Sequence, residues 1–187
     1  RQDAPIVFEF EPGARIRGVA EFGIRIHDGC AWVTIKNADI TVSGHGIRAT
    51  KTLGLLIDGG NYNHNGVEGI HIGFGCKGHR IQGVTCRRNG YDESDPPRPR
   101  VFGSYELHQC HGAYDCSQGT VSESVFELNG GSGNQWNGHE AGEKIVGAKV
   151  LRCRFVGNGD PSTGTPQLSL IAVDQSDFED LEFSGGV

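Results

Sequence analysis

The chain contains no methionine and starts at Arg1. A processed or excised segment is therefore expected, and the lack of a leader sequence says nothing about secretion. No apolar run approaches the roughly 18 residues that a membrane-spanning helix needs. Basic residues are in deficit, 17 against 23 acidic, which gives a net charge of −6 and argues against a nucleic-acid partner on bulk charge. None of the six cysteines forms a CxxC pair, and their scatter does not resemble a zinc ligand set. No Asp-Asp pair occurs, so the carboxylates that a glycosidase holds at fixed separation are not legible.

What the chain does have is glycine, 30 residues of it, and a repeat. Three consecutive stretches open on Gly-Ile, at Gly23-Ile24, Gly46-Ile47 and Gly69-Ile70, the first two of them 23 residues long. Each carries a Cys or apolar residue seven positions on (Cys30, Leu53, Cys76), and Cys110 extends that column if Gly103 restarts the pattern. Each has an Ile further along (Ile35, Ile57, Ile81) and closes on Ser43-Gly44, Asn65-Gly66 or Asn89-Gly90. Self-similarity at this period marks a solenoid. Within a coil, apolar residues alternate with polar ones, as in Ile24, Ile26 against Arg25, His27, which is the period of a strand. Three short strands in one coil leave no room for a helix. Each strand must then pair in parallel with its counterpart in the next coil, about 4.8 Å away.

This repeat resembles the right-handed parallel β-helix of the pectate-lyase type. The resemblance implies an all-β solenoid with three short strands per coil of about 23 residues and about six coils, forming one domain over residues 1–187. An α-solenoid is disfavoured by the glycine and β-branched content. Three segments break the period: 91–102, with three prolines that forbid a ladder strand, 131–144 and 160–167. All three follow an Asn-Gly and should project from one corner, often the binding side of a solenoid. Asn65, Asn89, Asn129 and Asn158 share that turn position and can hydrogen-bond as a ladder along the axis. The cysteines are expected mainly as small buried fillers. A bridge from Cys76 to Cys110, or within Cys110–Cys116, stays open.

If Ile24, Ile26, Ile47, Ala49, Ile70 and Ile72 point inward, the residues between them form an outward column of Arg25, Arg48, His71 and then Tyr105. The adjacent loops carry Arg98, Arg100, Trp136, His139 and Glu140. Arg pairs bidentately with carboxylates, and aromatic faces suit sugar rings. Taken with the resemblance, this suggests a protein that cleaves or epimerises an acidic polysaccharide, with lyase-type β-elimination as the leading reading. Tyr105 or His108 would remove the proton beside the uronate carboxyl, and Arg48 or Arg100 would neutralise that carboxylate. Arg25, His71, Trp136, His139 and Glu140 would bind substrate. His108 and His111 have a spacing that suits metal binding on a helix rather than a strand. His79 falls on the inward phase. Ser43-Gly44-His45-Gly46 resembles part of the polygalacturonase active-site pattern, but the rest of that pattern is missing, so His45 is read as a turn residue.

No cofactor is expected, and no metal ligand is assigned. Ca²⁺ at Asp92, Glu93 and Asp95 stays open, although no coordinating loop pattern is completed. The expected partner is a polysaccharide, and the expected location is extracellular or on a cell or virion surface. A homo-oligomer or a larger parent chain would cover the coil ends. The alternative is a non-catalytic segment, glycan-binding or structural, of a larger surface or phage tail protein. An ice-binding face is disfavoured because no regular Thr column exists.

Overall fold

The computed structural model describes residues 4–18, 21–41, 43–73, 75–90, 111–114, 116–138, 144–159 and 166–185, with backbone alone for 111–114. The alternation of side chains sets the architecture. Apolar residues at every second position need one dry face per strand. Three such strands per coil, wound about a common axis, enclose one narrow core. The described residues contain no helix, and their strands form three long parallel sheets. One seven-stranded sheet runs from Ile6–Glu9 through Val33–Lys36, Leu56–Asp58, Arg80–Gln82, Thr120–Ser122 and Lys149–Leu151 to Asp177–Glu179. A second seven-stranded sheet runs from Ile16–Arg17 to Glu182–Ser184. The third has six strands: Phe22–Ile26, His45–Thr50, Glu68–Gly73, His111–Tyr114, Asn134–Asn137 and Leu168–Ile171. A short pair, Ile145–Val146 with Val173–Asp174, completes the set. Consecutive strands of the chain fall in different sheets, and each pairs with its counterpart one coil on. The chain is a parallel β-helix.

Pairing in register places like residues over like. Ile35, Ile57, Ile81, Val121 and Val150 form one buried column. Ile40, Tyr62, Cys86, Phe126 and Phe155 form another. Phe126 stacks on Phe155 at 5.1 Å between ring centroids, and Phe155 on Phe183 at 5.0 Å. The expected asparagine ladder is present. Asn65 donates from Nδ2 to Oδ1 of Asn89 at 3.0 Å, Asn89 to Asn129 at 3.0 Å, and Asn129 to Asn158 at 2.7 Å. The same oxygens accept the backbone N–H of the preceding rung's asparagine. Stacked amides thus satisfy a buried turn that water cannot reach. The rungs are 24, 40 and 29 residues apart in sequence, so coil length varies while the ladder position does not.

Three expectations change. The strand after Glu68–Gly73 is His111–Tyr114, with Gly112 opposite His71. The outward column therefore continues at Gly112 and not at Tyr105. Residues 131–144 are not wholly an insertion, because Asn134–Asn137 is a strand of the six-stranded sheet. Polar Asn and Gln there hid a ladder strand whose surroundings bury it. The cysteine column also shifts by one residue. Leu53 pairs with Ala31 and Lys77, and Lys77 with Ser117, which stacks Thr52, Cys76 and Cys116. Cys76 and Cys116 are free thiols, so neither bridge left open above forms, while Cys86 is disulfide-bonded. Cys76 and Cys116 are buried as expected, but Cys30 is exposed.

Candidate functional site

The Gly-Ile repeat has a structural cause that also builds the site. In the six-stranded sheet, Phe22 pairs with His45 and Ile24 with Ile47, while Gly23 and Gly46 are passed over. The next rung repeats this: His45 pairs with Glu68 and Ile47 with Ile70, and Gly46 and Gly69 are passed over. A Cβ on Gly46 would run into the Gly69 carbonyl oxygen and crowd Asn65 Nδ2 at 3.2 Å. The register is the same on both sides of each glycine, so no residue is inserted, but the strict alternation of side chains is broken there. The residue before it and the residue two after it then reach the same neighbourhood. Two rows result: Phe22, His45, Glu68 and Arg25, Arg48, His71.

The contacts join these rows into one cluster. The guanidinium carbons of Arg25 and Arg48 lie 5.3 and 5.2 Å from the Phe22 ring centroid, within cation–π range. Phe22 also packs on His45 at 5.5 Å. His45 meets His71 edge to face at 5.5 Å. Glu68 lies between the two imidazoles, its Oε2 2.5 Å from His71 Nδ1 and 3.7 Å from His45 Nε2. Its side chain is 4% exposed, against 11% for His71 and 17% for His45. Gly73 leaves room for the His71 ring, since a Cβ there would lie 2.7 Å from Nε2.

Burial holds the His45 imidazole down to a pKa of about 4. Glu68 opposes that shift, while His71 and Arg48 add to it. Desolvation outweighs the carboxylate because His45 sits 3.7 Å from it rather than in direct hydrogen-bond contact. At neutral pH His45 is an uncharged ring with a lone pair to offer.

The expected site residues fall into three groups. Arg25, Arg48 and His71 stand opposite one another in register, Arg25 with Arg48 and Arg48 with His71, as the alternation required, but His71 is buried and not exposed as expected. Trp136 does not belong with them. It is fully buried and stacks on His79 at 5.5 Å, so it is a core residue and not a platform for sugar. His79 is interior, as its phase implied. Arg100, Tyr105, His108, His139 and Glu140 lie outside the described residues, as do Asp92, Glu93 and Asp95. The sequence reading missed His45 and Glu68. Their signal was available: both directly precede the repeated Gly-Ile pair, as Phe22 does. The turn composition around Gly44-His45-Gly46 assigned His45 to a turn, and Glu68 was not singled out.

No protein-family profile and no curated protein sequence matches the chain. Among solved structures, it is similar to the A-module of a mannuronan C-5 epimerase from Azotobacter vinelandii, with a TM-score of 0.54 and 12% identity over 91% of this chain. The match spans 53% of that module's chain, so the present chain corresponds to about half of it. At this identity the likeness is one of fold, the parallel β-helix.

Proposed function

We propose that this protein acts on an acidic polysaccharide bound along the outward face of the six-stranded sheet, by lyase-type β-elimination. The observation that carries this reading is the pair Arg25 and Arg48, adjacent in register and both stacked on Phe22. Two fixed guanidiniums on one face of a β-helix form a receptor for sugar carboxylates, since each can pair bidentately with one. The fold neighbour is by its name an epimerase working at C-5 of mannuronan. Epimerisation and elimination share a first step, removal of the proton on the carbon that bears the carboxylate.

In this reading Arg48, with Arg100, neutralises the carboxylate and so acidifies that proton. Tyr105 or His108 takes it. The electron pair then forms the C4–C5 double bond and expels the glycosidic oxygen, which takes a proton from the other member of the Tyr105–His108 pair. Both candidate bases belong to the stretch that leads into His111–Tyr114, the strand next to Glu68–Gly73. Arg25, His71, His139 and Glu140 contribute to binding. No cofactor is required by this chemistry, and Ca²⁺ at Asp92, Glu93 and Asp95 would serve as a further bridge to carboxylates. Such a protein would work outside the cell or on a cell or virion surface.

The test is a panel of uronic-acid polysaccharides followed by ultraviolet absorbance of the new double bond. Signal is expected on at least one polymer and should disappear in Arg48→Ala and in either Tyr105→Phe or His108→Ala, with the fold intact. A flat trace with folded protein across the panel refutes β-elimination and leaves epimerisation or glycan binding.

A further inference from the structure

We propose that His45, Glu68 and His71 form a binding site for one divalent transition-metal ion of the zinc type. The ligands are Nε2 of His45, a carboxylate oxygen of Glu68 and Nδ1 of His71. One donor atom from each residue lies within 4.8 Å of the others. Two imidazoles and a carboxylate suit Zn²⁺ and its first-row neighbours, whereas Ca²⁺ and Mg²⁺ take oxygen ligands.

The geometry needs little adjustment. With metal–ligand bonds of about 2.0 Å, donors in a tetrahedral shell stand roughly 3.3 Å apart. The His45–Glu68 separation of 3.7 Å must close slightly, and the 2.5 Å Glu68–His71 contact must open. These two changes are each less than about 1 Å, within the reach of a carboxylate rotation, and the two imidazole nitrogens, within 4.8 Å of each other, come together by side-chain torsion. The backbone fixes the rest. Glu68 and His71 share one buried strand, and His45 lies directly across from Glu68 in register. Sites mounted on paired strands keep their ligands in place better than loop sites do.

The surroundings favour an ion that can exchange. Three protein ligands leave a fourth position for water or an anion. His45 is the most exposed of the three, so an ion has its access on that side. Glu68 supplies the negative charge that offsets the nearby Arg48. An anionic oxygen in the fourth position would face both the ion and the Arg48 guanidinium. That last step rests on the polysaccharide reading; the metal site does not.

The test uses the purified protein, stripped with a chelator, dialysed, and kept free of polysaccharide. Co²⁺ is titrated while visible absorption is followed, and Zn²⁺ is titrated by calorimetry. A single saturable equivalent is expected, with the intense visible bands of four- or five-coordinate Co²⁺. His45→Gln and Glu68→Gln should each weaken binding by more than about tenfold, the scale seen even for groups that only support metal ligands. His64→Ala removes an imidazole just past Asn61–Asn63, a strand of the second seven-stranded sheet, and should bind as the parent does. X-ray absorption at the zinc edge of the parent protein should show two imidazole nitrogens, which keeps the test decisive if a variant does not fold. Absence of saturable binding by folded parent protein overturns the site, as does unchanged binding in the Gln double variant. A polysaccharide panel without activity leaves either outcome standing.

Discussion

Replacing Asn129 by alanine removes the middle of the asparagine ladder. Its side chain takes part in four hydrogen bonds. Oδ1 accepts from the backbone N–H and the side-chain amide of Asn89, both at 3.0 Å. Nδ2 donates to the Cys86 carbonyl at 3.3 Å and to Asn158 Oδ1 at 2.7 Å. Some partners keep an alternative: Asn89 Nδ2 still donates to the Tyr62 carbonyl, and Asn158 Oδ1 still accepts the Asn129 backbone N–H. The Asn89 backbone N–H has no second acceptor among the described residues, and Asn89 is fully buried. An orphaned buried donor costs about 1–3 kcal/mol, and each other lost bond about 1 kcal/mol net. The expected loss is therefore about 4–6 kcal/mol, read as a lower urea midpoint at unchanged slope. The control is Lys149→Ala. It breaks a 2.6 Å ion pair to Asp177, but both side chains are about half exposed, 48% and 50%. It should leave the urea midpoint nearly unchanged, because solvent screens the pair. An Asn129→Ala loss no greater than that of Lys149→Ala would refute the claim that burial, rather than bond length, sets the worth of these contacts.

Three further outcomes are expected. In metal-free protein the depressed pKa of His45 makes the unfolded chain the better proton binder between pH 6.5 and about 4, so stability should fall as pH drops through that window. The part assignable to His45 is on the order of 3 kcal/mol, obtained by subtracting the same denaturation series for His45→Asn. Gly46→Ala should lower stability by more than about 1 kcal/mol, because the added methyl meets the neighbouring coil's backbone, and circular dichroism melts would show it. Trp136→Ala should cost about 3–5 kcal/mol in the same melts. Since Trp136 is fully buried, its fluorescence in the native protein should be blue-shifted and poorly quenched by iodide.

The sequence by itself determined the coil. Alternation within each stretch, the return of Gly-Ile and the recurrence of Asn before Gly specify a parallel solenoid with a polar ladder at one corner. These are local signals, because each coil must solve the same burial problem as the one below it. Arg25, Arg48 and His71 were legible for the same reason: a period of two places them on one face. The sequence did not reveal how loops of unequal length reset the register. Only hydrogen bonding between coils sets Gly112 opposite His71, Cys116 over Cys76, and Asn134–Asn137 into the sheet. Trp136 shows the cost of reading composition alone, since a polar, glycine-rich stretch hides a buried ring. His45 and Glu68 show the limit of strict periodicity. The recurring glycine breaks the alternation and brings them to His71; its place before Ile in each coil is written in the sequence, but the contact it allows is decided by the neighbouring strands.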